Sequence, residues 1–164
     1  MASPMVIFDF DKKSDLTNWR VVDDGVMGGL SQGNFKTNEK GNAIFYGDVS
    51  LENNGGFSSV RHRFQEKTVN EYSKFVIRLK GDRKRYQFRV KTDSYDRYSY
   101  ISYFETSGEW QTIEIPLEEM YPSFRGRKLS IPNFPGEAME EIAFLIANYK
   151  AESFKLEIDK ISLK

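Results

Sequence analysis

The sequence contains no cysteine among its 164 residues and only one histidine, His62. The lack of cysteine excludes disulfide bonds, thiolate metal sites and cysteine nucleophiles, and it fits a reducing compartment. Zinc sites usually recruit several histidine or cysteine ligands, which this chain cannot supply. We therefore expect no metal to be needed for chemistry, although Asp, Asn and backbone oxygens leave a structural calcium site open.

A histidine-based catalytic triad would have to use His62. Its neighbours in VRHRF place it in a strand between two arginines, so we expect an ordinary surface or cross-strand histidine.

The glycine-rich stretch GVMGGLSQG lacks the G-x-G-x-x-G spacing, and no long helix follows it to receive a phosphate. Acids are plentiful enough for a glycosidase carboxylate pair, but plentiful acids are more typical of solvated faces. The residues thus point to no particular reaction, and we predict no cofactor.

The sequence also has no excess of charge of either sign. Its 24 basic residues balance 24 acidic ones, for a formal net charge of zero. A general electrostatic role on nucleic acid or anionic lipid is therefore not expected. No apolar run approaches the ~18 residues of a membrane span. The start, MASPMVIFDFDKK, resembles neither a secretory signal nor an arginine-rich transit peptide.

What the chain has in abundance is aromatic residues in period-two alternation, with 13 Phe, 9 Tyr and 2 Trp. In RYQFRVK, Tyr86, Phe88 and Val90 fall on one face of a strand. The alternate positions are polar and are predicted to face water: Arg85, Gln87, Arg89 and Lys91. Alternation of this kind is typical of a strand with one buried face.

About ten short strands are predicted in this way, separated by Gly-, Asn- and Pro-containing turns. They cover residues 5–9, 19–22, 42–49, 57–64, 75–81, 85–91, 98–104, 110–116, 141–147 and 154–164. Helical hints are confined to 116–120 and 14–19. Many short strands without long helices predict an all-β sandwich or barrel, which we expect to be a monomer with a single domain over 1–164.

Two glycine-rich loops interrupt the strands, DDGVMGGLSQGNF (23–35) and LENNGGFSSVR (51–61). Glycine reaches positive φ without steric cost, and Asp and Asn hydrogen-bond their own loops. We expect 23–33 to form a rigid, partly buried loop that packs against 52–57, the two together forming the functional edge of the sandwich.

Within that loop, Asp23 or Asp24 should accept backbone amides in the manner of an Asx-turn. Gly28 or Gly29 should have a positive φ or a tight contact, so that Gly28→Val costs a few kcal/mol. Met27 is expected to plug the core rather than to serve as an exposed anchor.

Several long blocks of the sequence are similar to one known family. They are WRVVDDGVMGGLSQG from Trp19, FYGDVSLENNGGFSSVR from Phe45 and LKGDRKRYQFRV from Leu79, followed by WQTIEIP from Trp110, FRGRKL from Phe124 and FKLEIDKI from Phe154. Together they cover nearly the whole chain and resemble the complex I intermediate-associated protein 30 family. The resemblance implies a galactose-binding-domain-like jelly-roll β-sandwich of antiparallel strands, akin to carbohydrate-binding modules. It also implies a role as an assembly factor or chaperone for respiratory complex I, so we expect a protein that is not an enzyme. Compared with that family, we expect a cytoplasmic protein of the bacterial stand-alone type, or a mitochondrial matrix protein if a presequence has been removed.

The sequence departs from the family pattern at two turns. Arg83 in GDRKRY replaces a usual glycine, and Glu152 and Ser153 replace another in YKAESFKLEI. We expect both changes to lie in hairpins and to leave the sandwich intact.

Two functional hypotheses stay open. In the first, the chain binds a protein partner, such as a respiratory complex subunit or another membrane-complex intermediate, through the two loops. Trp19 and Met27 would be its apolar anchors and Arg61 a polar one. The remaining candidate residues in these loops are Asp23, Asp24, Gly28, Gly29, Asn53 and Asn54.

In the second hypothesis, an aromatic-rich sheet face binds carbohydrate or another small ligand. Seven of the 19 residues from Tyr86 to Phe104 are aromatic, and Tyr86 and Arg97 are the candidate contacts there. Alternation would turn about half of these aromatic rings into the core.

Eight basic residues among 78–97 also suggest a platform for nucleic acid. The acidic segment 105–119 is expected to neutralise them on a neighbouring strand. We therefore predict no nucleic-acid partner.

Overall fold

The structure, a computed structural model, describes residues 3–164, including every side chain in that range except those of Val26 and Met27. Thirteen strands lie within the described residues. They are β1 (Met5–Asp9), β2 (Trp19–Asp23), β3 (Gln32–Thr37), β4 (Ala43–Val49), β5 (Ser58–Thr68), β6 (Lys74–Lys80), β7 (Arg85–Lys91), β8 (Ser99–Glu105), β9 (Trp110–Pro116), β10 (Tyr121–Phe124), β11 (Arg127–Lys128), β12 (Ala138–Ile146) and β13 (Glu152–Leu163).

The strands form two antiparallel sheets that pack face to face. One sheet has the order β3-β4-β13-β6-β9, with β1 also paired to β13, and the other has the order β11-β10-β8-β7-β12-β5-β2. The predicted all-β sandwich is confirmed, and each of the ten predicted strands coincides with an observed one. The strands β3, β10 and β11 were not predicted, because β3 begins inside the glycine-rich stretch and the other two are short.

Helical structure is limited to three single turns of 3-10 helix among the described residues, at Asp24–Met27, Glu52–Asn54 and Leu117–Glu119. The last of these matches the hint at 116–120. The hint at 14–19 is wrong, because Asp15 folds this stretch into a turn by accepting the backbone N–H of Thr17 at 2.9 Å. The described residues contain no helix with the length and apolar character needed to cross a bilayer.

The core lies between the two sheets and is built from the apolar positions that alternate along each strand. Tyr86, Phe88 and Val90 are all buried, as their spacing predicted. The ring of Phe88 contacts Phe75 from the opposite sheet at 4.7 Å and Phe144 from the neighbouring strand at 5.3 Å. Each large apolar side chain buried in this way contributes roughly 1.5–3 kcal/mol, so the alternation itself fixes which face of each sheet turns inward.

Tyr86 is a core residue and not a surface contact. Its hydroxyl donates a 2.8 Å hydrogen bond to Asp82, and burial together with the neighbouring Asp82 charge raises the pKa of Tyr86. The expectation that Tyr86 binds a ligand is wrong, because its side chain fills the space between the sheets.

Strand β13 runs through the middle of its sheet. Its first half pairs with β4, its second half pairs with β1 on that same side, and β6 pairs along the opposite side. Glu157, for example, lies opposite both Ile44 and Lys80. This one strand therefore joins the first, the fourth and the sixth strands of the chain.

The two departures from the family pattern do not lie in hairpins. Arg83 connects β6 to β7, which belong to different sheets, and Glu152 opens β13 after a similar crossover from β12. Arg83 has a φ of +69°, a conformation that suits glycine better than any other residue. The sandwich is intact at both places, as expected.

Trp19 and His62 form the centre of an aromatic cluster in the core. They are opposite one another on β2 and β5, their rings stack at 4.5 Å, and each is only 7% exposed. Phe35 stacks on the other side of Trp19, at 4.9 Å. His62 is thus the cross-strand histidine that was expected, but it is not on the surface. Trp19 is not available as a partner anchor, because its ring is enclosed.

Replacing His62 with phenylalanine is expected to weaken the dependence of stability on pH between about 7 and 5. Burial lowers the pKa of His62, and the positive charge of Lys67 lowers it further. A contact with the Asn18 carbonyl acts in the opposite direction but does not outweigh burial. The unfolded chain, with an ordinary pKa of about 6.5, then binds the proton more readily. The histidine therefore destabilises the fold progressively as pH falls below that value.

Urea unfolding of both proteins at pH 7 and pH 5 measures this effect. The parent should lose more free energy of unfolding between the two pH values than His62→Phe. Equal losses would show that His62 titrates alike in the folded and unfolded chains.

Candidate functional site

The outer face of the seven-stranded sheet carries a groove of about 480 Å³, within the size range of small-ligand sites. Strands β5, β12, β7 and β8 form its floor. One rim is formed by 51–57, and the other by 123–126 at the turn between β10 and β11.

Strand register places the groove residues in two cross-strand rows. In the first row, Arg61 lies opposite Ala143, which lies opposite Arg89. In the second row, Gln87 lies between Leu145 and Tyr103. The floor therefore combines two guanidinium groups with one amide, one phenol and small or aliphatic side chains.

The polar face of β7 is not open to water as the alternation predicted. Gln87 is only 7% exposed, and Arg89 is half-buried. The reason is tertiary, since the rims 51–57 and 123–126 rise on either side of this face. The expectation of a wet outer face is wrong for the part of β7 that lies in the groove.

Positive charge dominates the groove. Burial lowers the pKa of Arg61, and burial together with the charge of Arg61 lowers the pKa of Arg89 to about 10. The carboxylate next to them, Glu141, is buried and accepts a 2.9 Å bond from the Nε of Arg63. Glu141 also lies directly opposite Lys91 on the neighbouring strand, so this one carboxylate is shared among several cations.

Few of the aromatic residues between 86 and 104 face the groove. Four of the seven are buried: Tyr86, Phe88, Tyr100 and Phe104. Tyr103 does line the groove, where its hydroxyl accepts a 3.3 Å bond from Gln87 and its ring lies 4.2 Å from the guanidinium of Arg85. The predicted aromatic-rich sheet face is therefore reduced to one tyrosine of that segment, joined by Tyr149 from the loop after β12.

Asp24 ties the two glycine-rich loops together. Its carboxylate is fully buried and accepts the N–H of Ser31 at 2.9 Å and the hydroxyl of Ser31 at 2.5 Å. The same carboxylate accepts the N–H of Gly56 at 2.6 Å and of Phe57 at 3.2 Å. Burial alone would raise the pKa of Asp24, but these hydrogen bonds outweigh it and hold the pKa below its ordinary value. The predicted packing of 23–33 against 52–57 is present.

The two aspartates accept backbone amides, but not as Asx-turns. Asp24 reaches seven residues along the chain to Ser31. Asp23 reaches ten residues to the N–H of Gly33, at 2.8 Å, and also accepts the hydroxyl of Ser58 at 2.5 Å. These are long-range ties between loops and strands, so they fix tertiary structure rather than a local turn.

Both glycines singled out in the loop have a structural role. Gly28 has a φ of +88°, as predicted. A Cβ at Gly29 would lie 2.4 Å from the Cγ of Asp24, so the buried carboxylate fills the space that a side chain would need. The side chain of Met27 lies outside the described residues.

The remaining candidate residues lie on the rims. Asn53 and Asn54 are exposed, with φ values of 54° and 61°, and Asn54 lines the groove with Arg61 and Arg97. Of the residues proposed from sequence, the structure therefore brings together Asn54, Arg61 and Arg97. Phe57 and Tyr103, which belong to the proposed loop 52–57 and to the proposed aromatic face, also line this groove. Sequence reasoning missed five further residues of its lining: Arg89, Gln87, Phe124, Arg125 and Tyr149.

Comparison with known proteins identifies a family. The family model for complex I intermediate-associated protein 30 matches residues 8–158. The mitochondrial complex I intermediate-associated protein 30 of Mus musculus is 25% identical over 186 residues, an alignment that includes 99% of this chain and 57% of that protein. The chain thus spans little more than half the length of this relative.

Solved structures agree on the fold. The family 11 carbohydrate-binding module of the Clostridium thermocellum cellulase Lic26A-Cel5E is 16% identical with a TM-score of 0.73, covering 99% of this chain and 95% of that one. A family 29 module variant is 11% identical with a TM-score of 0.60, covering 99% of this chain and 92% of that one. At these identities the likeness establishes a jelly-roll, galactose-binding-like sandwich and nothing about ligands.

Proposed function

The chain belongs to the complex I intermediate-associated protein 30 family, and from that premise we propose that it is a non-catalytic binding protein that assists the assembly of a multi-subunit complex. The mouse relative is named for an association with complex I intermediates. We extend that role to this chain as binding of a protein partner, either a respiratory complex subunit or another membrane-complex intermediate.

The groove is the surface that best supports partner binding, and this single observation carries the proposal. It joins arginines to apolar rims, the combination that is enriched where interfaces gain most of their energy. The tie from Asp24 to Gly56 and Phe57 holds one rim in place without a ligand. The loop 23–33 then contributes to function by positioning 52–57, and a pre-formed rim lowers the ordering cost of binding.

The proposal assigns no catalytic role to the groove, and the chemistry of its lining supports that choice. Among the described residues, neither a histidine nor a carboxylate lines the groove. Ser123 is therefore left without a base that could activate its hydroxyl. No group of three or more His, Asp or Glu among residues 3–164 is arranged to hold a metal ion.

Carbohydrate is the second candidate ligand, and one observation favours it. Tyr103 and Tyr149 line the same groove as Gln87, so ring faces and an amide are available to a sugar. We rank it lower because the ring of Tyr103 is already covered by Arg85 at 4.2 Å, which leaves less of its surface free for stacking.

Photo-cross-linking tests the proposed function. A benzoyl-phenylalanine placed at Phe124 or Leu51 on the rims should cross-link one discrete protein in cells of the source organism. The control position is Lys155, which is exposed on the outer face of the other sheet. Cross-links of equal yield from Lys155, or none from the rims, would contradict a groove-bound partner.

A further inference from the structure

The groove holds more positive charge than the one carboxylate beside it, Glu141, can balance. Among residues 3–164, ion pairs use the cations Arg63, Lys74, Arg78, Lys84 and Lys150. The four arginines that line the groove form no such pair within the same residues: Arg61, Arg89, Arg97 and Arg125. The chain as a whole has no net charge, so these four arginines form a local excess of positive charge that acids balance elsewhere in the molecule.

Arg61 and Arg89 are the two of these arginines that stand on the floor. They occupy the same cross-strand row with Ala143 between them, which puts their Cα atoms roughly 10 Å apart at two strand spacings. Ala143 itself is only 4% exposed, so the arginine side chains, and not the alanine, face the groove. The two half-buried guanidinium groups both line it, and each carries a desolvation cost that an anion would offset.

The groove also has apolar surface beside the arginines. Phe57 and Phe124 stand on opposite rims, and Ile101 and Leu145 form part of the floor. A free phosphate or a small inorganic anion would leave these surfaces uncovered. The complementary ligand is one that joins carboxylates to apolar side chains.

We propose that the groove binds an acidic segment of a protein partner, with carboxylates paired to Arg61 and Arg89 and apolar side chains against Phe57 and Leu145. This inference rests on the proposed function, since it specifies the chemistry of the partner bound there. The four floor strands span roughly 14 Å, which fits about four residues of extended peptide. An acidic sugar fits less well, because sugars stack on flat ring faces and Arg85 already occupies one face of Tyr103.

A phage-displayed library of random eight-residue peptides, selected on the full chain, tests the inference. The selected peptides are expected to be enriched in Asp and Glu interspersed with apolar residues. A synthetic copy of one selected peptide should bind more weakly as salt rises. Its analogue with Asn and Gln in place of the acids should bind at least tenfold more weakly, about 1.4 kcal/mol.

Substitutions on the floor locate the site. Arg61→Gln and Arg89→Gln should each weaken the selected peptide at least tenfold, whereas Arg78→Gln on the outer face of the other sheet should not change it. Thermal unfolding of each variant separates lost binding from lost folding. If a floor variant does not fold, charge reversal at the exposed Arg97, which lines the groove from the loop between β7 and β8, provides a second test: Arg97→Glu should also weaken the peptide.

The inference is overturned if selection yields neutral or basic peptides or none, or if oligogalacturonate binds through Arg61 and Arg89 where peptides do not. Its failure can be told apart from failure of the proposed function. If the cross-linked partner is captured equally by the parent and by Arg61→Gln, the partner binds but not through the arginines. If acidic peptides need Arg61 but no protein cross-links to the rims in cells, the proposed assembly role fails instead.

Discussion

Replacing Asp24 with alanine should lower the free energy of unfolding by about 3–5 kcal/mol, because several buried or partly buried donors lose one charged acceptor at once. The donors are the N–H groups of Ser31, Gly56 and Phe57 and the hydroxyl of Ser31. Asp24 itself is fully buried, so water cannot easily take the place of its carboxylate. The rim of the groove should loosen together with the loop 23–33.

Urea unfolding monitored by tryptophan fluorescence measures the loss, with Asp9→Ala as the matched control. Asp9 is exposed on β1, and its replacement should change stability by less than about 0.5 kcal/mol. Similar stabilities for the parent and Asp24→Ala would mean that the two loops do not depend on this carboxylate.

The contribution of Asp24 should also depend on pH in a defined direction. Its pKa lies below the ordinary value, since hydrogen bonds from Ser31, Gly56 and Phe57 outweigh the opposing effect of burial. A group with a depressed folded pKa stabilises fully above its unfolded pKa, about 3.9, and loses that contribution as pH falls through the folded value. The stability difference between parent and Asp24→Ala should therefore be full at pH 7 and shrink below about pH 4.

Replacing Gly29 with alanine should cost about 3 kcal/mol, because the new Cβ would meet a buried side chain that cannot move away without breaking its hydrogen bonds. The added atom would lie 2.4 Å from the Cγ and 2.5 Å from the Oδ1 of Asp24. Gly28→Ala is the matched control one residue earlier. A Cβ there meets nothing within 4 Å, so only the φ of +88° opposes it, at about 1–2 kcal/mol. Gly28→Val should cost somewhat more than Gly28→Ala, because a β-branched residue tolerates positive φ poorly.

Thermal or urea unfolding of both variants checks the order of the two effects. Because Gly29 acts through Asp24, the double variant Asp24→Ala with Gly29→Ala should be more stable than the sum of the single losses indicates. If the two losses of unfolding free energy simply added, or if Gly28→Ala cost more than Gly29→Ala, a close contact between Gly29 and Asp24 would be contradicted.

The fold could be predicted from sequence because its strands are defined locally, whereas the groove could not. Tyr86, Phe88 and Val90 alternate with polar residues, and that pattern suffices to turn them into the core. The same pattern assigns Arg89 to solvent, because nothing nearby in the sequence shows that 51–57 and 123–126 rise on either side of it. Burial of a polar face depends on segments far apart in the chain, and period-two alternation carries no information about them.

The roles of Trp19 and Asp24 show a related limit. A tryptophan beside a glycine-rich loop resembles an exposed anchor, yet the cross-strand partner His62 and the ring of Phe35 enclose it. The predicted contact between the two loops is present, but the hydrogen bonds of Asp24 that hold it are long-range and not those of an Asx-turn. An Asx-turn reaches two residues along the chain, whereas Asp24 reaches Gly56, 32 residues away.

The central position of β13 has a consequence for how the chain reaches its native state during synthesis. Of the thirteen strands described, β13 is the last to leave the ribosome, yet β4, β1 and β6 all require it as a pairing partner. Until residues 152–163 emerge, β6 can pair with β9 on one side only, and β1 has no partner in its sheet. The nascent chain must therefore carry unpaired strand edges through nearly all of its translation, which exposes it to misassociation. Closure of this sheet is then a late event in folding, dominated by contacts between distant parts of the sequence and correspondingly slow.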